Sequence, residues 1–252
     1  MYKLIFLLTL LASTVPHANP DTNAAAENAD SLVKAADEYR QTADEIIVST
    51  VVKRYKHNTL NRERRYDVYI KPDRKSLVIS KTPSEKGQKV LMLDDQFWLL
   101  LPKTKRPIRI TPMQKLMGEA SIGDVATLKW HEDYTAEYTS TYDKSKSGNN
   151  ELLLKAKRKG ATYSEIALSL APKTNVPLYA ALFLASGKLA KTAYFEITTK
   201  NGREQVSKMI LKDGINKNQR TEIEYIENKP YSLHYKYFNP AYLARNPSLA
   251  IQ

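Results

Sequence analysis

The sequence contains no cysteine, and its 252 residues include only four histidines, eight glycines and twelve prolines. Without cysteine there is no disulfide, no thiolate metal site, no cysteine nucleophile and no lipid-modified N-terminal cysteine. So little glycine and proline, beside 42% hydrophobic and 26% charged residues, excludes collagen-like, low-complexity and disordered chains and leaves a globular one. Past the N-terminus no apolar run reaches membrane length, and the longest, residues 178–185, has the size of a strand. There is no Gly-x-Ser-x-Gly elbow and no phosphate loop.

What is present begins with Met1, Tyr2 and Lys3, a short region with one positive charge, followed by an almost purely apolar stretch over residues 4–15. Small residues and Pro16 end it, which is the layout of a secretory signal peptide over residues 1–18. The run is shorter than the roughly 20 residues a membrane span needs. Ala18 is one position for cleavage and the Ala24, Ala25, Ala26 run is another. The expectation is an exported protein, periplasmic in a Gram-negative cell, with its signal removed and no lipid anchor. Residues 19–28 read as a flexible leader and residues 29–252 as a single domain, since no linker or composition shift divides them.

Ala29, Leu32, Val33, Ala36 and Tyr39 fall at helical spacing and predict one amphipathic helix. From Asp44 the period drops to two. Strands are expected near residues 46–53, 65–70, 77–80, 89–93, 97–101 and 108–110, and again over 135–142, 151–157, 164–170, 178–184, 189–198, 206–211 and 221–226. His57-Asn58, Pro72-Asp73, Asp94-Asp95, Asn201-Gly202 and similar pairs mark the turns. Between the two series, Pro112 is expected to open a helix carrying Met113, Leu116 and Met117, and residues 122–130 a second one carrying Val125 and Leu128. With no βαβ alternation, the fold class is mainly β with a few helices, and the sheet is antiparallel.

Phe97, Trp98, Leu99, Leu100 and Leu101 are apolar on both faces of their strand, so that strand must be covered on both. A dozen strands cannot stay flat; twist curls them into a barrel or part of one, wider inside than its own side chains fill. Helices, water or an apolar ligand must enter that space. The methionines of the central segment suit a lid over lipid, although ordinary core packing explains the same apolar stripe.

At this point the residues resemble a known family. Lys89-Val90-Leu91-Met92, the block from Gln96 through Trp98 to Arg106, Ile108-Arg109-Ile110-Thr111, and Leu116-Met117-Gly118-Glu119-Ala120-Ser121-Ile122-Gly123-Asp124-Val125 are similar, in this order, to the outer-membrane lipoprotein-sorting family, itself similar to the LolA and LolB lipoprotein carriers. Ser186-Gly187-Lys188-Leu189 and Thr221-Glu222-Ile223 extend the likeness. The resemblance implies a strongly curved antiparallel half-barrel closed by lid helices, with a cavity for acyl chains of a lipid or lipoprotein. It also implies, by analogy, an inner-membrane exporter of the RND/MMPL or ABC kind as partner.

No catalytic constellation stands out, and the chain reads as a non-enzyme without cofactor or metal. His131-Glu132-Asp133 lacks metal-ligand spacing and Asp94-Asp95 reads as a hairpin tip. The charge of 39 − 27 = +12 gathers at Arg62, Arg64 and Arg65, at Lys103, Lys105 and Arg106, and at Lys155, Lys157, Arg158 and Lys159. An anionic membrane surface is one partner for such groups; solvation of the outer face is the plainer account. Export argues against nucleic acid. The resulting expectation is a carrier that buries acyl chains under Met113, Leu116, Met117, Val125 and Leu128, against a concave wall including Trp98 and Leu100. A lipid-sensing adaptor, or a structural exporter subunit with its cavity packed shut, is the alternative.

Overall fold

The computed structural model describes residues 20–104, 106–127, 129–139, 148–213 and 218–246. The expected signal peptide lies outside the described residues. Helix α1 (Pro20–Asp37) begins the fold, starting ahead of the amphipathic pattern and running through the Ala24–Ala26 stretch expected to be a leader. Alanine has the highest helix propensity, so the run extends the helix.

Strands β1 (Ile46–Lys56), β2 (Thr59–Lys71), β3 (Lys75–Ser80), β4 (Lys89–Leu93), β5 (Gln96–Leu100) and β6 (Ile108–Ile110) form an antiparallel meander. A second meander comprises β9 (Tyr134–Tyr138), β10 (Asn150–Ala156), β11 (Glu165–Leu170), β12 (Pro177–Phe183), β13 (Leu189–Lys200), β14 (Arg203–Asp213) and β15 (Gln219–Pro230). Pairing of β1 with β15 along their full lengths joins the two into one 13-stranded open sheet with β6 and β9 at its edges. The turns are those the sequence marks. His57 (φ 49°) and Asn58 (φ 62°) close β1–β2, and Asn201 (φ 53°) and Gly202 (φ 74°) close β13–β14, each a two-residue loop with positive φ at both positions. Such loops match the right-handed twist of the strands they join.

Between the meanders lie β7 (Lys115–Met117), β8 (Ala120–Ser121) and helix α2 (Ile122–Ala126). The helix expected from Pro112 is instead a turn followed by the β7–β8 hairpin. Its backbone is already engaged: the carbonyls of Pro112 and Gln114 accept from Gly123 and Ile122 N–H at 2.9 Å, satisfying the first turn of α2. Ser121 and Asp124 form a capping box that starts α2. After β15, helix α3 (Pro240–Arg245) is the last element among the described residues, capped by Asn239, which accepts from Tyr242 N–H at 3.0 Å.

Two apolar clusters follow from the two-residue period of the strands. One gathers alternate residues from nearly every strand, among them Val48, Val68, Val90, Phe97, Leu154, Leu168, Leu182, Leu211 and Ile223, with α1 and α2. Side chains from both ends of a sheet meet only on the inside of its curl, so this is the concave core. The other unites Ile47, Tyr69, Leu77, Leu91 and Leu100 with Leu233, Phe238, Leu243 and Ala244. The C-terminal segment thus covers the convex face of β1–β5, which is why those strands are apolar on both faces.

Candidate functional site

The concave face is covered by three pieces: α1, the β7–β8 hairpin and α2. Helix α1 presents Ala29, Val33 and Ala36 to the core. It also shields an edge, because Asp30 Oδ1 accepts from Ala136 N–H of β9 at 2.7 Å. Near its C-terminal end, Asp37 is 2% exposed and accepts from Trp130 N–H (2.8 Å) and His131 N–H (2.9 Å), with His131 Nδ1 at 2.8 Å. The segment leading into β9 is therefore tied to α1.

The hairpin and α2 are held to the sheet by polar contacts around an apolar interior. Arg64 Nη1 on β2 donates to the Leu116 carbonyl at 2.9 Å, and Glu119 N–H donates to Thr221 Oγ1 on β15 at 2.8 Å. Lys191 Nζ on β13 donates to the Glu119 carbonyl and lies 2.9 Å from Asp124 Oδ2. Asp124 also accepts from Ser121 N–H (2.8 Å), Ser121 Oγ (2.7 Å) and Tyr163 Oη (2.7 Å). Burial alone would raise the Asp124 pKa; the Lys191 ammonium and these donors outweigh it and hold the carboxyl below its ordinary value. Burial and the neighbouring carboxylate push the Tyr163 phenol well above its own ordinary range.

Two glycines make the fit close. Gly118 has φ +57°, and a Cβ there would lie 2.4 Å from Thr221 Oγ1 and 3.2 Å from Arg54 Cγ. At Gly123 a Cβ would lie 2.0 Å from Thr162 Oγ1. Only glycine lets α2 sit this near Thr162, in the connection between β10 and β11.

A second set of charges bridges the open side of the curl. Arg74, at the β2–β3 turn, ion-pairs with Asp133 and approaches Asp95 (3.5 Å) and Asp94 (3.6 Å); its side chain is 4% exposed and that of Asp133 1%. Arg158, between β10 and β11, lies 2.6 Å from Asp94, and Gly160 abuts Asp95. The Asp94-Asp95 hairpin tip thus fastens one meander to the other, and His131 and Asp133 are engaged by Asp37 and Arg74 rather than standing open as ligands. No group of three His, Cys, Asp or Glu side chains converges on a metal-sized site among the described residues.

The structure brings Met113, Leu116 and Val125 together at the concave core. It places Trp98 and Leu100 elsewhere. Phe97 and Leu99 face the core, while Trp98 and Leu100 pack on the convex cluster, so the concave wall of β5 is the odd-numbered pair and not the expected one. The pattern of β5, apolar throughout, holds no cue to its direction. Leu128 lies outside the described residues. Arg64 was expected only in a basic cluster, and Asp124 and Thr221 only within the family resemblance; none of them, nor Lys191, was expected to hold the cover, although Lys191 is legible as a lone cation between apolar inward positions of a strand.

Room inside is small. The cavity under α2, lined by Thr127, Trp130, Tyr163, Ile166, Leu182 and Phe195 among others, measures about 30 Å³, space for one or two waters. Small-molecule sites measure ~300–1,000 Å³. A larger open groove of about 1360 Å³ lies outside the core, beside Arg74, Asp94, Trp98 and Arg158.

A family model described as "-like: Uncharacterized protein" matches residues 72–245. Among solved structures, a LolA superfamily protein from Nitrosomonas europaea is 25% identical, with a TM-score of 0.77 over 85% of this chain and 98% of that one. A DUF1329 family protein from Desulfovibrio piger has 19% identity and a TM-score of 0.70, covering 87% and 99%. An outer membrane lipoprotein-sorting protein domain from Vibrio parahaemolyticus also has 19% identity, with a TM-score of 0.69 over 87% and 100%. A search of the curated proteins returns no match.

Proposed function

From a chain that belongs to the family matched over residues 72–245, and that has the fold of the LolA superfamily and of lipoprotein-sorting domains, we propose a non-enzymatic periplasmic carrier for acyl chains of a lipid or lipoprotein. The fold supports a carrier-like role. The observation that favours this reading is the construction of the concave face: a continuous apolar core covered by a segment that is attached through a few polar contacts at its rim. Acyl chains would enter between the sheet, at Phe97 and Leu99, and the cover, at Met113, Leu116 and Val125. Delivery toward the outer membrane, and an RND/MMPL or ABC exporter as the supplying partner, complete the proposal.

The magnitudes make such a carrier workable. The cover is held by two hydrogen bonds from cations, each worth about 1.5–3 kcal/mol, by one from the Glu119 N–H to the Thr221 hydroxyl, about 0.5–1.5 kcal/mol, and by the Lys191–Asp124 pair. Burying a chain of about fourteen carbons gains on the order of 10 kcal/mol before ordering. The gain is of the same order as the contacts that hold the cover, so entry and release can be exchanged when a receiving membrane competes.

The small cavity favours a second reading, a structural exporter subunit whose core is filled by its own side chains. Native mass spectrometry of the protein purified without detergent, with extraction of any bound lipid, separates the two. A stoichiometric lipid or lipoprotein adduct is expected, and Leu116→Asp is expected to abolish it. A bare mass that stays bare on lipid challenge would leave the structural subunit.

A further inference from the structure

The rim of the concave face carries an electrostatic conflict that neither the fold nor the cover resolves. Arg54 on β1 and Arg62 on β2 stand directly opposite each other in the antiparallel register. Residues directly opposite share one face, and like charges in that relation destabilise the pair. The face is the concave one: Val52, two residues before Arg54, belongs to the concave core, and Val52 is itself opposite Arg64. Among the described residues neither Arg54 nor Arg62 forms an ion pair. The neighbouring acids are spent elsewhere. Glu85 pairs with Arg64 (2.8 Å), Glu224 with Lys53 (2.7 Å) and Glu63 with Arg65 (2.8 Å). Arg54 donates through Nη2 to Gln219 at 2.8 Å, while its Nε is buried without a hydrogen-bond partner.

These arginines adjoin the cover. The stem of Arg54 runs along Gly118 at the tip of the β7–β8 hairpin, and Arg64 Nη1 holds the Leu116 carbonyl on the same hairpin. When the hairpin leaves, Arg64 loses that acceptor and three guanidinium groups face one opening with a single carboxylate among them. Guanidinium groups match phosphate oxygens in paired hydrogen bonds, and a dianionic or monoanionic phosphate between Arg54 and Arg62 would turn their repulsion into attraction. We propose that Arg54 and Arg62, with Arg64 beside them, form a phosphate subsite for the headgroup of an anionic lipid whose acyl chains occupy the concave core. This rests on the carrier reading and narrows it to a charged amphiphile. A lipoprotein's neutral acylated end would leave the arginines unmatched.

The test offers the purified protein vesicles of phosphatidylglycerol or of phosphatidylcholine with identical acyl chains, and measures lipid retained per protein by native mass spectrometry after the vesicles are removed. The wild-type protein is expected to retain more phosphatidylglycerol. In R54Q/R62Q that preference should fall by about fivefold per arginine, while uptake of phosphatidylcholine, whose phosphate is neutralised by its own choline, falls less. A control, K173Q/K188Q, removes the same charge from exposed turns on other parts of the surface and should keep the preference. The double arginine variant should melt no lower than the wild type in the absence of lipid, because it relieves a like-charge pair.

Equal uptake of the two lipids by the wild type, or an unchanged preference in R54Q/R62Q, overturns the subsite and leaves the carrier. An equal loss in the lysine control overturns it in favour of general attraction by the net charge. Retention of neither lipid, with no inorganic phosphate bound through Arg54 and Arg62, overturns carrier and subsite together. Excess inorganic phosphate identifies the source: if it binds in a way that depends on Arg54 and Arg62 while neither lipid is retained, the subsite serves free phosphate and the headgroup assignment is overturned.

Discussion

Replacing Lys191 with Met tests how the cover is held. The two side chains of the Lys191–Asp124 pair are 6% and 4% exposed and lie 2.9 Å apart, so the variant leaves Asp124 buried without its cation. Removing one partner of a buried pair costs about 3–5 kcal/mol. Asp124 keeps Ser121 N–H, Ser121 Oγ and Tyr163 Oη as donors, which places the loss at the low end, about 3 kcal/mol. A domain of this size loses about 2–4 °C of Tm per kcal/mol, so the fall should be about 6–12 °C. Urea unfolding gives the free energy, and hydrogen exchange over residues 115–126 reports whether the cover opens before the sheet. Asp124→Asn removes the stranded charge, so the double variant should be more stable than the sum of the single losses by about 2 kcal/mol. A loss under about 1 kcal/mol, or a strictly additive double variant, would refute the reasoning and mean that apolar contact alone docks the hairpin.

The remaining predictions address the seam, the packing of α2 and the buried phenols. Arg74→Gln should destabilise by about 3 kcal/mol, because Asp133 is left buried and unpaired, whereas Asp73→Asn, whose side chain is 83% exposed, should change thermal unfolding little; similar melting of the two variants would show that the clasp carries no stability. Gly123→Ala should cost about 1–3 kcal/mol by driving a methyl into Thr162, and should cost less in a Thr162→Ser background, where one of the crowded atoms is gone; equal losses in both backgrounds would place the strain elsewhere. Burial pushes Tyr134 up to about 12 from 10.0, and the Tyr163 phenol is raised as well. A raised folded pKa contributes stability that is full below pH 10 and is lost as pH rises towards 12, so the phenolate absorbance of the buried tyrosines should appear together with unfolding. One reversible titration of all the phenols near 10 would contradict that burial.

Much of the fold was legible because its signals are local. The two-residue period over residues 46–53 and 206–211, and the positive-φ turn chemistry of His57-Asn58 and Asn201-Gly202, mark strands and hairpins without reference to anything distant. Ala29, Val33 and Ala36 announce the inner face of α1 in the same way. The segment after Pro112 shows where local reading stops. Its apolar spacing fits a helix, yet its carbonyls serve α2, a demand created by Ile122 and Gly123 further along the chain.

By itself, then, the sequence determined a mainly β chain in two antiparallel meanders, the apolar coverage that Phe97 to Leu101 require, and the segment that covers the curl. Only the tertiary structure decided which side of each strand is concave. A strand apolar on both faces gives the same pattern in either direction, so Trp98 and Leu100 could be placed on the outer face, under Leu233, Phe238 and Leu243, only by the docking of the C-terminal segment. It also decided which charges meet. Lys191 and Asp124 are 67 residues apart, Arg74 and Asp133 lie on opposite meanders, and Arg54 faces Arg62 through a register set by strand pairing. Ionic contacts between distant positions leave no period in the chain; they exist only once the sheet has curled.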